Sequence, residues 1–178
     1  MPVDLDRAGV IALNEADEFH RYELTPDGAL IVTPPPDTDH GEIVMQLAAW
    51  LMRYGADPGL IKLQSGVEIG DGMRIPDLML LRTRVPRTSA VPPSLVALSV
   101  EVISPSTRTQ DRVVKPGEYA TAGIPNYWLI EPTSTPLAAT LVRYSEPHGG
   151  RYLVGSAPVT LATLLADETP ELLGLELR

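Results

Sequence analysis

Cysteine is absent from this chain, which excludes a disulfide framework, a zinc–thiolate centre and a cysteine nucleophile at once. Histidine is scarce: His20, His40 and His148 are scattered and form no His-rich metal motif. Oxygen ligands are what remain for a metal, the chemistry of Mg²⁺, Mn²⁺ or Ca²⁺. No apolar run approaches the roughly 18 residues that cross a bilayer. The acidic N-terminus, Met1-Pro2-Val3-Asp4-Leu5-Asp6-Arg7, lacks the basic and apolar regions of a signal peptide. These absences predict a cytoplasmic protein with no membrane contact. Lysine is nearly missing too, with Lys62 and Lys115 standing against 12 arginines.

At 178 residues the chain is long enough to bury a core without staples. Its length predicts a single domain over 1–178, with a lead-in at 1–20 and a leucine-rich extension at 156–178. A net charge of −9 argues against a general nucleic-acid binder, because phosphate contacts need cations. The charge is uneven, however. Between Arg74 and Lys115 stand seven basic residues against three acidic ones, a net +4. An anionic substrate and ordinary solvated arginines explain that segment equally well.

Residues 21–33 read as two short strands around Pro26-Asp27-Gly28. A helix is predicted from Asp39 to Tyr54, with Asp39 and Glu42 at capping-box spacing and Ile43, Leu47 and Leu51 on one face. Two strands, 60–69 and 73–81, are expected around the hairpin signal Gly70-Asp71-Gly72. A strongly apolar strand follows at 95–103 and a polar helix at 107–122, then strands at 127–130, 138–145 and 151–155. A short helix is expected in the tail at 160–177. This order predicts an α/β or α+β core with one mixed central sheet flanked by helices.

Two carboxylates interrupt greasy strands. Asp77 lies in Ile75-Pro76-Asp77-Leu78-Met79-Leu80-Leu81, and Glu101 in Leu98-Ser99-Val100-Glu101-Val102-Ile103. A buried carboxylate is costly unless something pairs with it. Either a shared divalent cation or salt bridges to arginines such as Arg74 or Arg108 would meet that need. Lys115 supplies a compact ammonium that can orient or polarise a water, which guanidinium does poorly. Asp111, Lys115 and Tyr119 would share one helix face, although Pro116-Gly117 disturbs helix there. Either the helix begins near Pro116 with Lys115 in the preceding turn, or it kinks. Ser104 and Ser106 have no histidine near in sequence and are poor nucleophile candidates, and Tyr127-Trp128 reads as core, not as a base-stacking platform. Gly70-Asp71-Gly72 is no phosphate loop, since no helix follows it.

Several segments follow one another in a recognisable order: Tyr22-Glu23-Leu24, Pro76-Asp77-Leu78, Val100-Glu101-Val102-Ile103-Ser104-Pro105-Ser106-Thr107, Asp111…Lys115…Tyr119, and Gly123-Ile124-Pro125-Asn126-Tyr127-Trp128-Leu129-Ile130. Over about residues 20–155 this resembles the Uma2 family of restriction-endonuclease-type domains, formerly a domain of unknown function, within the PD-(D/E)XK nuclease superfamily. The resemblance implies a restriction-endonuclease-like core and Mg²⁺- or Mn²⁺-dependent hydrolysis of DNA. Asp77 and Glu101 would be metal ligands, completed by the backbone carbonyl of Val102 or Ile103. Lys115 would replace the lysine the superfamily usually places two residues after the second acid, where this chain has Ile103. Glu23 would join the catalytic set, with His40, Asp111 and Tyr119 as further pocket candidates. A homodimer would suit cleavage of both strands. The alternative is a catalytically idle nuclease-fold module that binds nucleic acid or a protein partner.

Overall fold

Two interruptions, one at Gln64-Ser65 and one at Ile75-Pro76-Asp77, decide how the strands are divided in the computed structural model, which describes residues 5–175 and 177. In chain order the first elements are α1 (Arg7–Ala16), β1 (Arg21–Leu24), β2 (Leu30–Thr33) and α2 (Thr38–Arg53). Then come β3 (Ile61–Leu63), β4 (Gly66–Ile69), β5 (Gly72–Arg74), β6 (Leu78–Leu81), β7 (Ala90–Val91) and β8 (Val96–Val102). A π-helical turn (Gln110–Val114) runs into α3 (Lys115–Thr121). The chain continues as β9 (Asn126–Glu131), β10 (Thr140–His148), β11 (Arg151–Gly155), β12 (Val159–Thr160) and α4 (Leu161–Asp167).

The expected mixed sheet is present, in the order β11-β10-β9-β8-β6-β3, with β12 paired on β10. All its neighbours are antiparallel except β8 and β9. That parallel pair needs a crossover, and the π turn and α3 supply it. A second sheet, β2-β1-β5-β4-β7, was not expected. Each long strand predicted at 60–69 and 73–81 is two strands, one in each sheet. Gln64 adopts φ 46, a left-handed conformation that turns the chain out of β3. Pro76 has no amide hydrogen for a ladder and separates β5 from β6. Gly66 and Gly72 sit so close to neighbouring backbone that an added Cβ would lie 2.4 Å from the Ser89 carbonyl oxygen and 2.3 Å from that of Leu24.

Helix α2 packs Ile43, Leu47, Trp50 and Leu51 into the main core, with the Trp50 and Trp128 rings 6.1 Å apart. Its cap is Asp37, whose side chain accepts from the His40 amide, and not the expected Asp39. The earlier aspartate wins because Thr38 already starts the helix, which leaves Asp39 in its first turn. Strand β8 is buried along its whole length, so both its faces are covered. A smaller core of Val10, Leu24, Met73 and Ile75 joins α1 to the second sheet. Among the described residues no helix is long and apolar enough to cross a membrane.

Candidate active site

The register of β6 against β8 sets Leu78 opposite Val100, and the Asp77 amide, just before β6, donates to that same Val100 carbonyl at 3.1 Å. Asp77 is thereby pinned next to Glu101, the following residue of β8, and both side chains reach one cavity. Asp77 Oδ2 accepts from the Val102 amide at 2.8 Å. Both acids are almost fully buried and line a cavity of about 360 Å³. The Val102 amide thus touches Asp77 directly, while Val102 and Ile103 form part of the cavity wall.

Lys115 reaches this pair. Its Nζ lies 2.9 Å from Glu101 Oε1, 3.2 Å from Asp111 Oδ1 and 3.4 Å from Glu23 Oε1. The local backbone explains how a lysine beside a proline gets there. Pro116 has no amide to donate, and its ring would crowd the carbonyl four residues back in a regular helix. The π turn absorbs that conflict: the Lys115 amide donates to the Gln110 carbonyl, one residue wider than in an α-helix. Lys115 then opens α3 with Pro116 in its first turn. Pro116 thus stands at the start of α3, as one of the two expectations had it, but Lys115 lies inside a helical run that is continuous through the π turn. Tyr119, one turn on, donates its hydroxyl to the same Glu101 Oε1 at 2.8 Å.

Other groups hold Asp77. Arg21 Nη1 donates to its Oδ1 at 2.9 Å. His40 Nε2 pairs with the same oxygen at 3.1 Å. Neither arginine considered as a salt-bridge partner touches the central acids. Arg74 forks onto Glu118 at 2.7 and 2.8 Å and reaches Glu23 at 3.5 Å. Arg108 lies 3.4 Å from Glu131 at the cavity mouth, where Arg112 joins it. Glu23 accepts from the Ile75 amide at 2.6 Å and stands with Tyr119 behind the cavity wall, whereas His40, Asp111 and Lys115 line it.

Burial pushes the Asp77 carboxyl up, but His40, Arg21 and the Val102 amide outweigh it and hold it at about 2. Glu101 behaves oppositely. Burial, with Asp111 and Asp77 nearby, raises it well above the usual carboxylate range against the pull of Lys115. Burial also raises Asp111. For Lys115 burial favours the neutral amine, yet Glu101, Glu23 and Asp111 raise it above the usual lysine value. One acid is thus held ionised and its cross-strand neighbour resists ionisation, the division of labour that polar sites impose on paired carboxylates.

The donor set suits a hard divalent cation. Four carboxyl groups, Glu23, Asp77, Glu101 and Asp111, stand against Arg21 and Lys115, while Arg74 is taken up largely by Glu118. The Lys115 and Tyr119 contacts both fall on Oε1 of Glu101. Asp111 Oδ1 and His40 Nε2 are buried on that same cavity, held by ion-pair contacts to Lys115 at 3.2 Å and to Asp77 at 3.1 Å. Among the described residues no three His, Asp or Glu side chains converge as a ready cage. An ion here would take one or two carboxylates and keep several waters, the habit of Mg²⁺.

Arg21 is the site residue that sequence reasoning missed. A signal existed: Arg21 and Glu23 are two apart on one strand and so face the same way.

Comparison with known proteins adds an independent line. A family model named Uma2, described as "Putative restriction endonuclease", matches residues 11–175. A crystal structure described as a "putative nuclease belonging to DUF820", from Anabaena variabilis, has the same fold, with a TM-score of 0.59. It is 18% identical, and the match covers 76% of this chain and 75% of that one. No curated protein matches.

Proposed function

This chain belongs to the Uma2 family, and from that premise we propose that it is a metal-dependent endonuclease that hydrolyses phosphodiester bonds of DNA. The observation that carries the proposal is the burial of Asp77 and Glu101 at one cavity where β6 meets β8, with Lys115 2.9 Å from Glu101 at its wall. Asp77, Glu101 and the Val102 carbonyl would hold Mg²⁺ or Mn²⁺. When bound, such an ion polarises a phosphoryl oxygen and lowers the pKa of a water.

The remaining work falls to the chain itself. Lys115, kept protonated by its three carboxylates, orients the attacking water and offsets charge on the phosphoryl oxygens. Glu23, Asp111 and Tyr119 fix that ammonium and the Glu101 carboxylate in place. Hydrolysis is direct, and the leaving 3′-oxygen takes its proton from water.

A second reading has its own support. Both Asp77 oxygens are engaged within the chain, by Arg21 and by the Val102 amide. A module that never loads a cation would look the same. Plasmid DNA incubated with the protein and Mg²⁺ or Mn²⁺ separates the two. Cleavage that disappears in Asp77→Ala and Glu101→Ala supports the enzyme, and cleavage unchanged in both variants overturns the site. A cation-induced rise in melting temperature, lost in the same variants, reports loading without relying on turnover.

A further inference from the structure

A second cavity, of about 460 Å³, opens beside the first and shares Arg21 and Pro34–Pro36 as a common wall. Its size falls in the range of small-molecule sites, roughly 300–1,000 Å³. Phe19, the chain's sole phenylalanine, lines it with 74% of its surface exposed. Exposed, that ring forgoes about 1.5–3 kcal/mol of burial, and here it stands at the edge of a cavity that a flat ligand could enter.

The segment that presents Phe19 is fastened. Asp17 accepts from the Phe19 amide at 2.7 Å, the His20 ring at 2.9 Å and the Tyr22 hydroxyl at 2.6 Å. The Phe19 backbone and the His20 ring are thereby held at the rim of a cavity contiguous with the candidate catalytic one. Glu15, Asp17 and Glu18 make that rim acidic. A phosphate is repelled there, whereas the uncharged face of a base is not. Gln64 also lines the cavity and carries a side-chain amide that can both donate and accept. Its left-handed backbone is fixed by a hydrogen bond to the Asp77 carbonyl, which couples this wall to the candidate metal ligand.

We propose that this cavity is a subsite for one unpaired nucleobase, stacked on Phe19 and His20, flanking the phosphodiester held at Asp77 and Glu101. The proposal rests on the nuclease reading above and narrows the substrate to a single-stranded or extrahelical nucleotide. Stacking on an aromatic side chain supplies sequence-tolerant affinity, because every base has a π face. It also suits a chain of net charge −9, which has few cations with which to follow a duplex backbone.

The test uses the full chain carrying Glu101→Gln to prevent turnover, with fluorescein-labelled eight-nucleotide probes: a base-bearing single strand, an abasic strand of the same length, and a duplex. The base-bearing strand should bind at least tenfold tighter than the abasic strand or the duplex. Phe19→Ala should cut that affinity about tenfold and leave abasic binding unchanged. Phe19→Trp should retain affinity, and its fluorescence should be quenched by base-bearing strands, since Trp50 and Trp128 are buried. Equal binding of abasic and base-bearing strands, or no loss in Phe19→Ala, overturns the subsite. So does a dimer that Phe19→Ala converts to monomer while oligonucleotide affinity is unchanged, which would make the patch a protein interface. The nuclease reading fails separately, when wild-type protein shows neither cleavage nor a cation-induced thermal shift.

Discussion

Arg21 Nη1 lies 2.9 Å from Asp77 Oδ1, so a guanidinium holds one oxygen of the buried aspartate from across 56 residues of chain. It neutralises a carboxylate that would otherwise be stranded beside Glu101, and it competes with any cation that seeks Asp77. These two roles predict opposite responses to one mutation.

Arg21→Ala should destabilise the metal-free protein by about 2–3 kcal/mol, somewhat below the cost of breaking a wholly buried pair, because the Arg21 side chain keeps some solvent contact. In a protein of this length that corresponds to a drop of about 5–10 °C in melting temperature. Saturating Mn²⁺ should narrow the gap between wild type and variant, since the ion takes over the neutralisation. Thermal unfolding with and without Mn²⁺ reads both effects. A gap that widens with metal contradicts the competition.

Lys115 faces three carboxylates and has no solvent to fall back on. Lys115→Met should cost about 3–5 kcal/mol at neutral pH, the penalty for leaving buried acids unpaired. The direction with pH follows from linkage. In wild type the lysine stays charged across pH 5–8, because its acid neighbours raise it, so its contribution is constant there. Without it the folded protein gains protons on Glu101 and Asp111 as pH falls, and the deficit should shrink from pH 8 to pH 5. Denaturant melts of both proteins across that range test it, and a deficit independent of pH refutes the account. Cleavage should fall at least 100-fold, the scale of losing one charge-stabilising donor.

Several of these groups were legible in the sequence and others were not, for physical reasons. Asp77 and Glu101 stood out because a carboxylate inside an apolar strand is improbable without a partner, and Lys115 because arginine is used almost everywhere else. Helix α2 and strands β8 and β9 followed from local periodicity. The second sheet did not, because it depends on breaks at Gln64 and Pro76 inside what reads as continuous β pattern. Its pairings, β1 with β5 above all, join segments that no local signal connects. The π turn was equally hidden: Pro116 announced a conflict, but only the packed helix shows that one extra residue per turn resolves it. Arg21 was overlooked because its partner lies in the other sheet.

Asp17 offers a prediction at lower pH. The Tyr22 hydroxyl, the Phe19 amide and His20 hold its carboxyl well below the usual carboxylate range. A depressed carboxyl contributes stability above its unfolded value, near 3.8, and loses it as pH falls through the folded value. Asp17→Asn should therefore melt below wild type by a constant margin at pH 5–7, and the margin should close below about pH 4. Paired melting curves at pH 3 and pH 6 decide it. The variant should also weaken binding of base-bearing strands, because the fastened segment presents Phe19.

Arg74 is wholly buried, with Glu118 forked onto its guanidinium at 2.7 and 2.8 Å and Gln110 at 3.3 Å. A buried pair of this kind is weak evidence for stability, since desolvating two charges consumes much of what their attraction returns. Breaking it is another matter. Arg74→Met strands Glu118 and removes a neighbour of Glu23, and should cost about 3–5 kcal/mol. Glu118→Leu added to Arg74→Met replaces the pair with apolar groups of similar size and should recover most of that loss. The double-mutant cycle, read by urea unfolding, isolates the coupling. A double variant no more stable than Arg74→Met alone would mean that Arg74 is needed chiefly for Glu23 and Gln110, and that the fork to Glu118 is incidental to the fold.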